Sequence, residues 1–142
     1  MSADILLDTH IALWLDSGDE RLRLSTRDLI DNCWRNDGTV LISAVTAWEV
    51  ALLAERGRID LDLPAADWIE RFAAGPGVKV VPLSYRAAAN AYRLHDFAYR
   101  DPADRLLIAT SVELACPFVT YDARIARFAE DHGAPYGFTV GA

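Results

Sequence analysis

Lysine, cysteine and long apolar segments are scarce in this chain of 142 residues. Lys79 is the one lysine, so the other 13 of the 14 basic residues are arginine. Cys33 and Cys116 lie in unrelated segments without a disulfide or metal-binding pattern, and we expect two buried thiols in a reducing cytoplasm. No apolar run reaches the roughly 18–20 residues of a membrane span, and no basic stretch precedes the first apolar run. We therefore expect neither a membrane segment nor a signal peptide.

The net charge of −7 disfavours a general nucleic-acid binder, because such proteins usually present a basic surface. It does not exclude one, since arginine is the better fork for phosphate and a metal-holding cluster of acids would itself lower the net charge. Apolar residues make up 52% of the chain, as in globular proteins, and the length fits one domain over residues 1–142.

Short apolar runs alternate with helical patterns along the whole chain. The runs predict strands at Ile5–Leu7, Val40–Ile42, Val78–Leu83, Phe118–Thr120 and Phe138–Val140. The helical patterns predict helices at His10–Leu15, Ser25–Arg35, Ser43–Arg56, Pro64–Ala74, Ser84–His95, Asp101–Ala115 and Ala123–His132, with Ser25 and Ser84 as caps of the second and fifth helices. Because the strands show no polar alternation, this order is typical of an α/β domain whose parallel sheet is covered by helices on both faces.

Four acidic residues stand in apolar surroundings. Asp8 and Asp122 directly follow the first and fourth predicted strands, while Glu49 and Asp104 lie near the starts of predicted helices. Each has an ordinary structural explanation as a helix cap, part of a capping box or a first-turn acid. Taken together they indicate more, because functional groups of a parallel sheet gather beyond the carboxyl ends of its strands.

Carboxylates that share one crevice repel each other, and a divalent cation removes the conflict. Ligation by carboxylates alone suits a hard ion such as Mg²⁺ or Mn²⁺ better than zinc. We expect Asp8 and Asp104 to bind the metal directly, and Glu49 and Asp122 to complete the site directly or through water. A metal held in this way supports in-line displacement at a phosphodiester.

Four segments in order resemble the PIN-domain nucleases, above all the VapC-type toxins of bacterial toxin–antitoxin pairs. They are LLDTH at 6–10, ISAVTAWEVA at 42–51, RDPADRLLIA at 100–109 and VTYD at 119–122. The resemblance extends from Ile5 to about Phe128. It implies a three-layer α/β/α sandwich with a mainly parallel central sheet and Mg²⁺- or Mn²⁺-dependent cleavage of RNA in the cytoplasm. It also implies a homodimer and a small cognate antitoxin protein that blocks the site.

The resemblance assigns the family's acidic quartet to Asp8, Glu49, Asp104 and Asp122. Thr120 matches the hydroxyl residue that precedes the last acid, and we expect a supporting role for it. Asp101 fits a helix cap better than a metal ligand, and contact with the metal stays an alternative.

Arginines near these acids are candidates for contact with substrate phosphate. Arg100 and Arg105 flank Asp104, and they either bind RNA phosphate or pair with nearby acids. Arg21, Arg23 and Arg27 offer a second phosphate contact, although a solvated helix face explains them as well.

Three other functions compete with this one. A phosphate-accepting receiver domain needs paired acids after the first strand and a lysine after a late strand, but Asp8 stands alone and Lys79 opens the third strand. A regulator that has the PIN fold but no catalysis is disfavoured by the complete set of acids. A DNA-directed nuclease is not separated from a ribonuclease by the metal site, since both substrates present the same phosphodiester.

Overall fold

A computed structural model describes residues 3–141 and shows a five-stranded sheet between two layers of helices. Met1, Ser2 and Ala142 lie outside the described residues; the first two belong to the segment in which we expect no signal peptide. All strand pairs are parallel, in the order β3-β2-β1-β4-β5. The predicted α/β class and parallel sheet are therefore confirmed.

The strands are short, and the chain returns through helices between them. The strands are β1 Ile5–Leu7, β2 Val40–Ser43, β3 Val78–Val81, β4 Phe118–Val119 and β5 Val140–Gly141. The helices are α1 Thr9–Ser17, α2 Leu24–Arg35, α3 Ala44–Glu55, α4 Ala65–Ala73, α5 Tyr85–Asn90, α6 Pro102–Leu114 and α7 Ala123–His132. Turns of 3₁₀ helix follow at Ala91–Arg93 and Ala134–Tyr136.

Successive side chains of the central strand β1 enter two separate cores, because a strand points alternate residues to opposite faces. Leu7 packs in the core that contains Ile11 of α1 and Ile30 of α2. Leu6 packs in the opposite core with Leu107 of α6 and Ile125 of α7. Burial on both faces explains why these strands read as continuous apolar runs.

Several boundaries differ from the prediction for local reasons. Ser25 was expected to cap the second helix, but that prediction is wrong: Arg23 holds the cap position and the helix begins at Leu24. The Arg23 backbone N–H donates to the hydroxyl of Tyr121, so a residue far along the chain contacts the start of α2. The helix that Ser84 caps ends at Asn90 and gives way to a 3₁₀ turn, well before the predicted His95.

Helices α1, α3, α6 and α7 start at the carboxyl edge of the sheet, each from a polar cap. Asp8 caps α1, Ser43 caps α3, Asp101 caps α6 and Asp122 caps α7. This edge therefore collects side chains from four connections.

Both cysteines are buried and free, as expected. Between residues 3 and 141, no helix combines the length and apolarity that crossing a bilayer requires.

Candidate active site

Asp8 lies at the centre of the site, directly after the central strand β1. Its side chain is buried, and both oxygens are engaged. Oδ1 accepts from the Thr9 backbone N–H at 2.7 Å, and Oδ2 accepts from the Thr120 hydroxyl at 2.7 Å. Nδ1 of His10 lies 3.5 Å from the same Oδ2. Burial raises the pKa of Asp8, while the neighbouring His10 and the hydrogen bonds from Thr120 and Thr9 oppose that rise.

Glu49 reaches the same region from helix α3. Its carboxylate is half-buried and accepts a hydrogen bond from the Thr9 hydroxyl. The Thr9 Oγ1 also lies 3.1 Å from the Thr46 Oγ1. Since Thr9 gives its one hydroxyl proton to Glu49, Thr46 is the donor in the second bond. Thr9 thus touches Asp8 with its backbone and Glu49 with its side chain.

Asp104 and Asp122 are joined by one arginine. Nη2 of Arg124 lies 3.2 Å from Oδ2 of Asp104 and 2.9 Å from Oδ2 of Asp122. Asp104 is buried in the first turn of α6, and Asp122 is half-buried where it caps α7. Thr120 connects this pair to the centre, because its hydroxyl donates to Asp8 and accepts from the Asp122 backbone N–H at 3.0 Å.

The pKa values show that these carboxylates share one electrostatic environment. Burial, followed by the charges of Asp101, Asp8 and Asp122, raises the pKa of Asp104 to about 7. Burial raises the pKa of Glu49 to about 7, with smaller contributions from the charges of Asp8 and Asp101. Asp122 shows the opposite behaviour, because its hydrogen bond with Arg124 lowers its pKa. After burial, the like charges of neighbouring acids therefore also contribute to the raised pKa values of Asp104 and Glu49.

The donor set at this edge suits a hard divalent cation. It consists of carboxylate and hydroxyl oxygens, which are the ligands that Mg²⁺ and Mn²⁺ prefer, and its like charges favour a cation between them. As the side chains stand, however, residues 3–141 contain no group of three or more His, Cys, Asp or Glu residues placed to hold a metal ion. Hydrogen bonds from Thr9, Thr120 and Arg124 engage several of these oxygens, so a bound metal ion would share or replace some of these contacts.

Asp101 lies beside the quartet but is exposed. Its Oδ1 accepts from the backbone N–H groups of Ala103 at 2.9 Å and Asp104 at 3.3 Å, which is the geometry of the expected helix cap. Its charge acts on the site, since it contributes to the raised pKa values of Asp104 and Glu49.

Arg105 is bound to the backbone rather than presented to solvent. Its guanidinium donates to the carbonyl oxygens of Ala91 and Leu94 through Nη1, Phe97 through Nη2 and Tyr99 through Nε. These bonds hold the segment before α6 in place. Arg105 therefore contacts backbone carbonyl oxygens, whereas the sequence suggested phosphate or a nearby acid as its partner. Arg100 is exposed at the end of this segment.

The sequence did not predict a role in the site for Thr9 or Arg124, and it did not predict that His10 contacts Asp8. The sequence does give one indication for Thr9. It is a hydroxyl residue directly after Asp8, so it must lie at the same edge of the sheet as that acid. Arg124 follows Asp122 by two positions, but its bond to Asp104 joins residues 20 apart and becomes evident only in the fold.

Comparison with known proteins identifies the family of the chain. The family model of the PIN domain matches residues 5–131. The chain is 33% identical over 136 residues to Ribonuclease VapC22 of Mycobacterium tuberculosis, an alignment that covers 96% of this chain and 97% of that protein.

Two solved structures have similar folds. One is the structure of VapBC2 from Rickettsia felis bound to a DNA fragment from the VapBC2 promoter. It matches with a TM-score of 0.67 at 12% identity, and the match covers 97% of both chains. A toxin–antitoxin complex from Klebsiella pneumoniae matches with a TM-score of 0.58 at 17% identity and covers 96% of both chains. At these identities the likeness concerns the fold.

Proposed function

The chain belongs to the PIN domain family, as its motifs predicted, and from this premise we propose that it is a Mg²⁺-dependent endoribonuclease, the toxin of a type II toxin–antitoxin pair. One nuclease domain over residues 1–142 would carry the activity in the cytoplasm. The convergence of Asp8, Glu49, Asp104 and Asp122 at the carboxyl edge of the sheet is the observation that carries the proposal. The family match over residues 5–131 overturns the receiver-domain alternative.

In this proposal Asp8, Glu49, Asp104 and Asp122 hold Mg²⁺, with Mn²⁺ as a substitute. The bound ion would stabilise charge on the phosphodiester oxygens and make water a better nucleophile. The net negative charge of the four acids, only partly balanced by Arg124, favours a cation at this edge. Exposed Arg100 is the better placed of the two predicted phosphate contacts, because the donors of Arg105 are bound to carbonyl oxygens.

The surrounding residues fix the acids for this work. The hydroxyls of Thr120 and Thr9 orient the carboxylates of Asp8 and Glu49, so each presents a defined oxygen. Since Thr9 donates to Oε1 of Glu49, Oε2 is the oxygen that would face the metal ion.

The partners in this proposal are RNA, a second copy of the chain and a small antitoxin protein. Two observations support the antitoxin: the similarity to Ribonuclease VapC22, and folds shared with chains from toxin–antitoxin complexes. A PIN-fold regulator without catalysis is the second candidate, and it is favoured by one observation, that Arg124 bridges Asp104 and Asp122 where the metal would bind.

Cleavage assays test the proposal. The purified protein, free of partners, is incubated with structured RNA and with single-stranded DNA in Mg²⁺, in Mn²⁺ and in EDTA. We expect metal-dependent cleavage of RNA that falls by at least about 100-fold in Asp8→Asn and Asp104→Asn. Asp67→Asn is the matched control, because Asp67 is an exposed acid in the first turn of α4, away from the site.

Metal binding is measured on the same samples by calorimetry. Binding of Mg²⁺ without cleavage of any substrate would support the non-catalytic regulator. Cleavage that persists in EDTA, or in both variants, would contradict the metal site. Cleavage of DNA but not of RNA would retain the site and reject the proposed substrate.

A further inference from the structure

Three aromatic rings pack together beside Asp8, between the site and helix α2. The ring centroids of His10 and Trp14 are 5.1 Å apart, those of His10 and Tyr121 are 6.0 Å apart, and those of Trp14 and Tyr121 are 5.7 Å apart. We call these three residues the ring cluster. It touches the site directly, because Nδ1 of His10 lies 3.5 Å from Oδ2 of Asp8.

Hydrogen bonds fix the orientation of the ring cluster. The Tyr121 backbone N–H donates to Nε2 of His10 at 3.1 Å, so the ring proton of His10 resides on Nδ1 and faces Asp8. The Tyr121 hydroxyl accepts from the Arg23 backbone N–H at 2.9 Å and bonds the Thr26 hydroxyl. Tyr121 is therefore anchored at both ends, to the site and to the start of α2.

Arg23 lies on this anchored ring. Its guanidinium carbon is 4.2 Å from the centroid of Tyr121, a cation–π contact that holds the side chain while its N–H edges stay available. Within residues 3–141, no carboxylate lies within salt-bridge distance of Arg23.

The neighbouring arginines differ in this respect. Arg21 also lies over a ring, that of Trp14 at 4.8 Å, but its Nε and Nη2 donate to the carboxylate of Asp19. Arg27 donates to the backbone carbonyl of Asp19. In this group Arg23 is the exposed cation whose charge is not balanced locally, in a chain whose net charge is −7.

We propose that Arg23, seated on Tyr121, binds a backbone phosphate of a single RNA strand next to the acidic site. This inference rests on the proposed function and extends it, since it assigns one of the contacts that guide the strand past Asp8. Arg23 lies on Tyr121, which packs against the core of α1 and α2, whereas Arg100 precedes the cap of α6, a helix that packs in the opposite core. A strand bound by both would cross the acidic edge between them.

Binding, separated from cleavage, tests the proposal. In an Asp104→Asn background we would measure the affinity for a labelled single-stranded RNA of about 12 nucleotides by fluorescence anisotropy at several salt concentrations. Arg23→Gln is expected to weaken binding about three- to tenfold at low salt. It should also reduce the slope of log Kd against log salt by about 0.7, the value for one phosphate contact on a single strand. Arg23→Lys should retain the slope, because it keeps the charge.

Arg35→Gln is the matched control, since Arg35 is an exposed arginine at the other end of the same helix α2. We expect it to bind RNA as the parent does. A thermal melt of each variant verifies the fold. Unchanged affinity and slope in Arg23→Gln, or an equal loss in Arg35→Gln, would overturn the proposal.

The source of the contact is tested with single-stranded DNA of the same sequence. An equal loss on DNA and RNA supports a phosphate contact, whereas a loss on RNA alone would overturn it in favour of base or 2′-hydroxyl recognition. The outcome is independent of catalysis. If the wild-type protein cleaves nothing and Arg23→Gln still weakens binding, the proposed function fails while this subsite stands.

Discussion

The acidic edge should destabilise the metal-free protein at neutral pH, and Asp104→Asn tests this most directly. Asp104 is 8% exposed, and its ordinary pKa of 3.8 rises to about 7. A carboxyl group with a raised pKa binds its proton more tightly in the folded than in the unfolded chain. Folding stability therefore declines as pH rises from about 4 to about 7 and levels off above that. Asparagine resembles the protonated acid and lacks this decline.

The magnitude follows from the size of the rise. Roughly three pH units at about 1.4 kcal/mol each correspond to about 4 kcal/mol above neutral pH. The variant loses the contact between Arg124 and Asp104, which is worth at most about 1 kcal/mol because the arginine is 44% exposed. We expect Asp104→Asn to be more stable by about 2–3 kcal/mol at about pH 8. The melting temperature should rise by about 6–12 °C.

The assay is thermal unfolding in EDTA between about pH 4.5 and pH 8. The stability gained by Asp104→Asn should shrink toward the acidic end, where Asp104 of the wild type is protonated. Asp67→Asn should show no such gain. Mg²⁺ should then stabilise the wild type more than Asp104→Asn, because in the proposed site it binds the folded state through the acid that the variant lacks. An Asp104→Asn variant that melts at or below the wild type at pH 8 in EDTA would refute the electrostatic reasoning.

Two further perturbations address residues that hold the site in shape. Arg105→Gln should lower the melting temperature by several degrees and make the segment before α6 sensitive to limited proteolysis. The reason is that the guanidinium donates to four carbonyl oxygens there. Unchanged resistance to the protease would show that these bonds contribute little. Thr9→Val should raise the pKa of Glu49 further above its present value of about 7 in an NMR titration of the metal-free protein, since the Thr9 hydrogen bond lowers it; an unchanged or lower midpoint would contradict that assignment.

The positions of the four acids could be predicted because they follow from the order of the chain. Asp8 and Asp122 come directly after buried strands, and parallel strands place their carboxyl ends at one edge. Glu49 and Asp104 lie near the starts of helices that begin at that edge. The strand and helix alternation therefore predicted both the fold class and the place where these acids meet.

The contacts between the acids could not be predicted, because they depend on tertiary distances. Arg124 reads as a solvent-exposed residue of an amphipathic helix, yet it bridges Asp104 and Asp122. Arg105 looked like a partner for phosphate or an acid, and only the path of the segment before α6 shows that its donors are taken. Ser25 has the chemistry of a helix cap, but Arg23 holds the cap position, and its backbone N–H bonds the hydroxyl of Tyr121, far along the chain.

Two acids of the quartet also cap helices. At these two positions a substitution can therefore affect the stability of the fold as well as the chemistry of the site, whereas at Glu49 no cap is lost. Asp8 and Asp122 accept backbone N–H groups at the starts of α1 and α7, whereas Glu49 lies inside α3 and starts no helix. In a deep mutational scan read out by protein abundance alone, positions 8 and 122 should therefore prefer asparagine, serine or threonine among the inactivating substitutions. Position 49 should accept most helix-forming residues, because no helix start depends on Glu49.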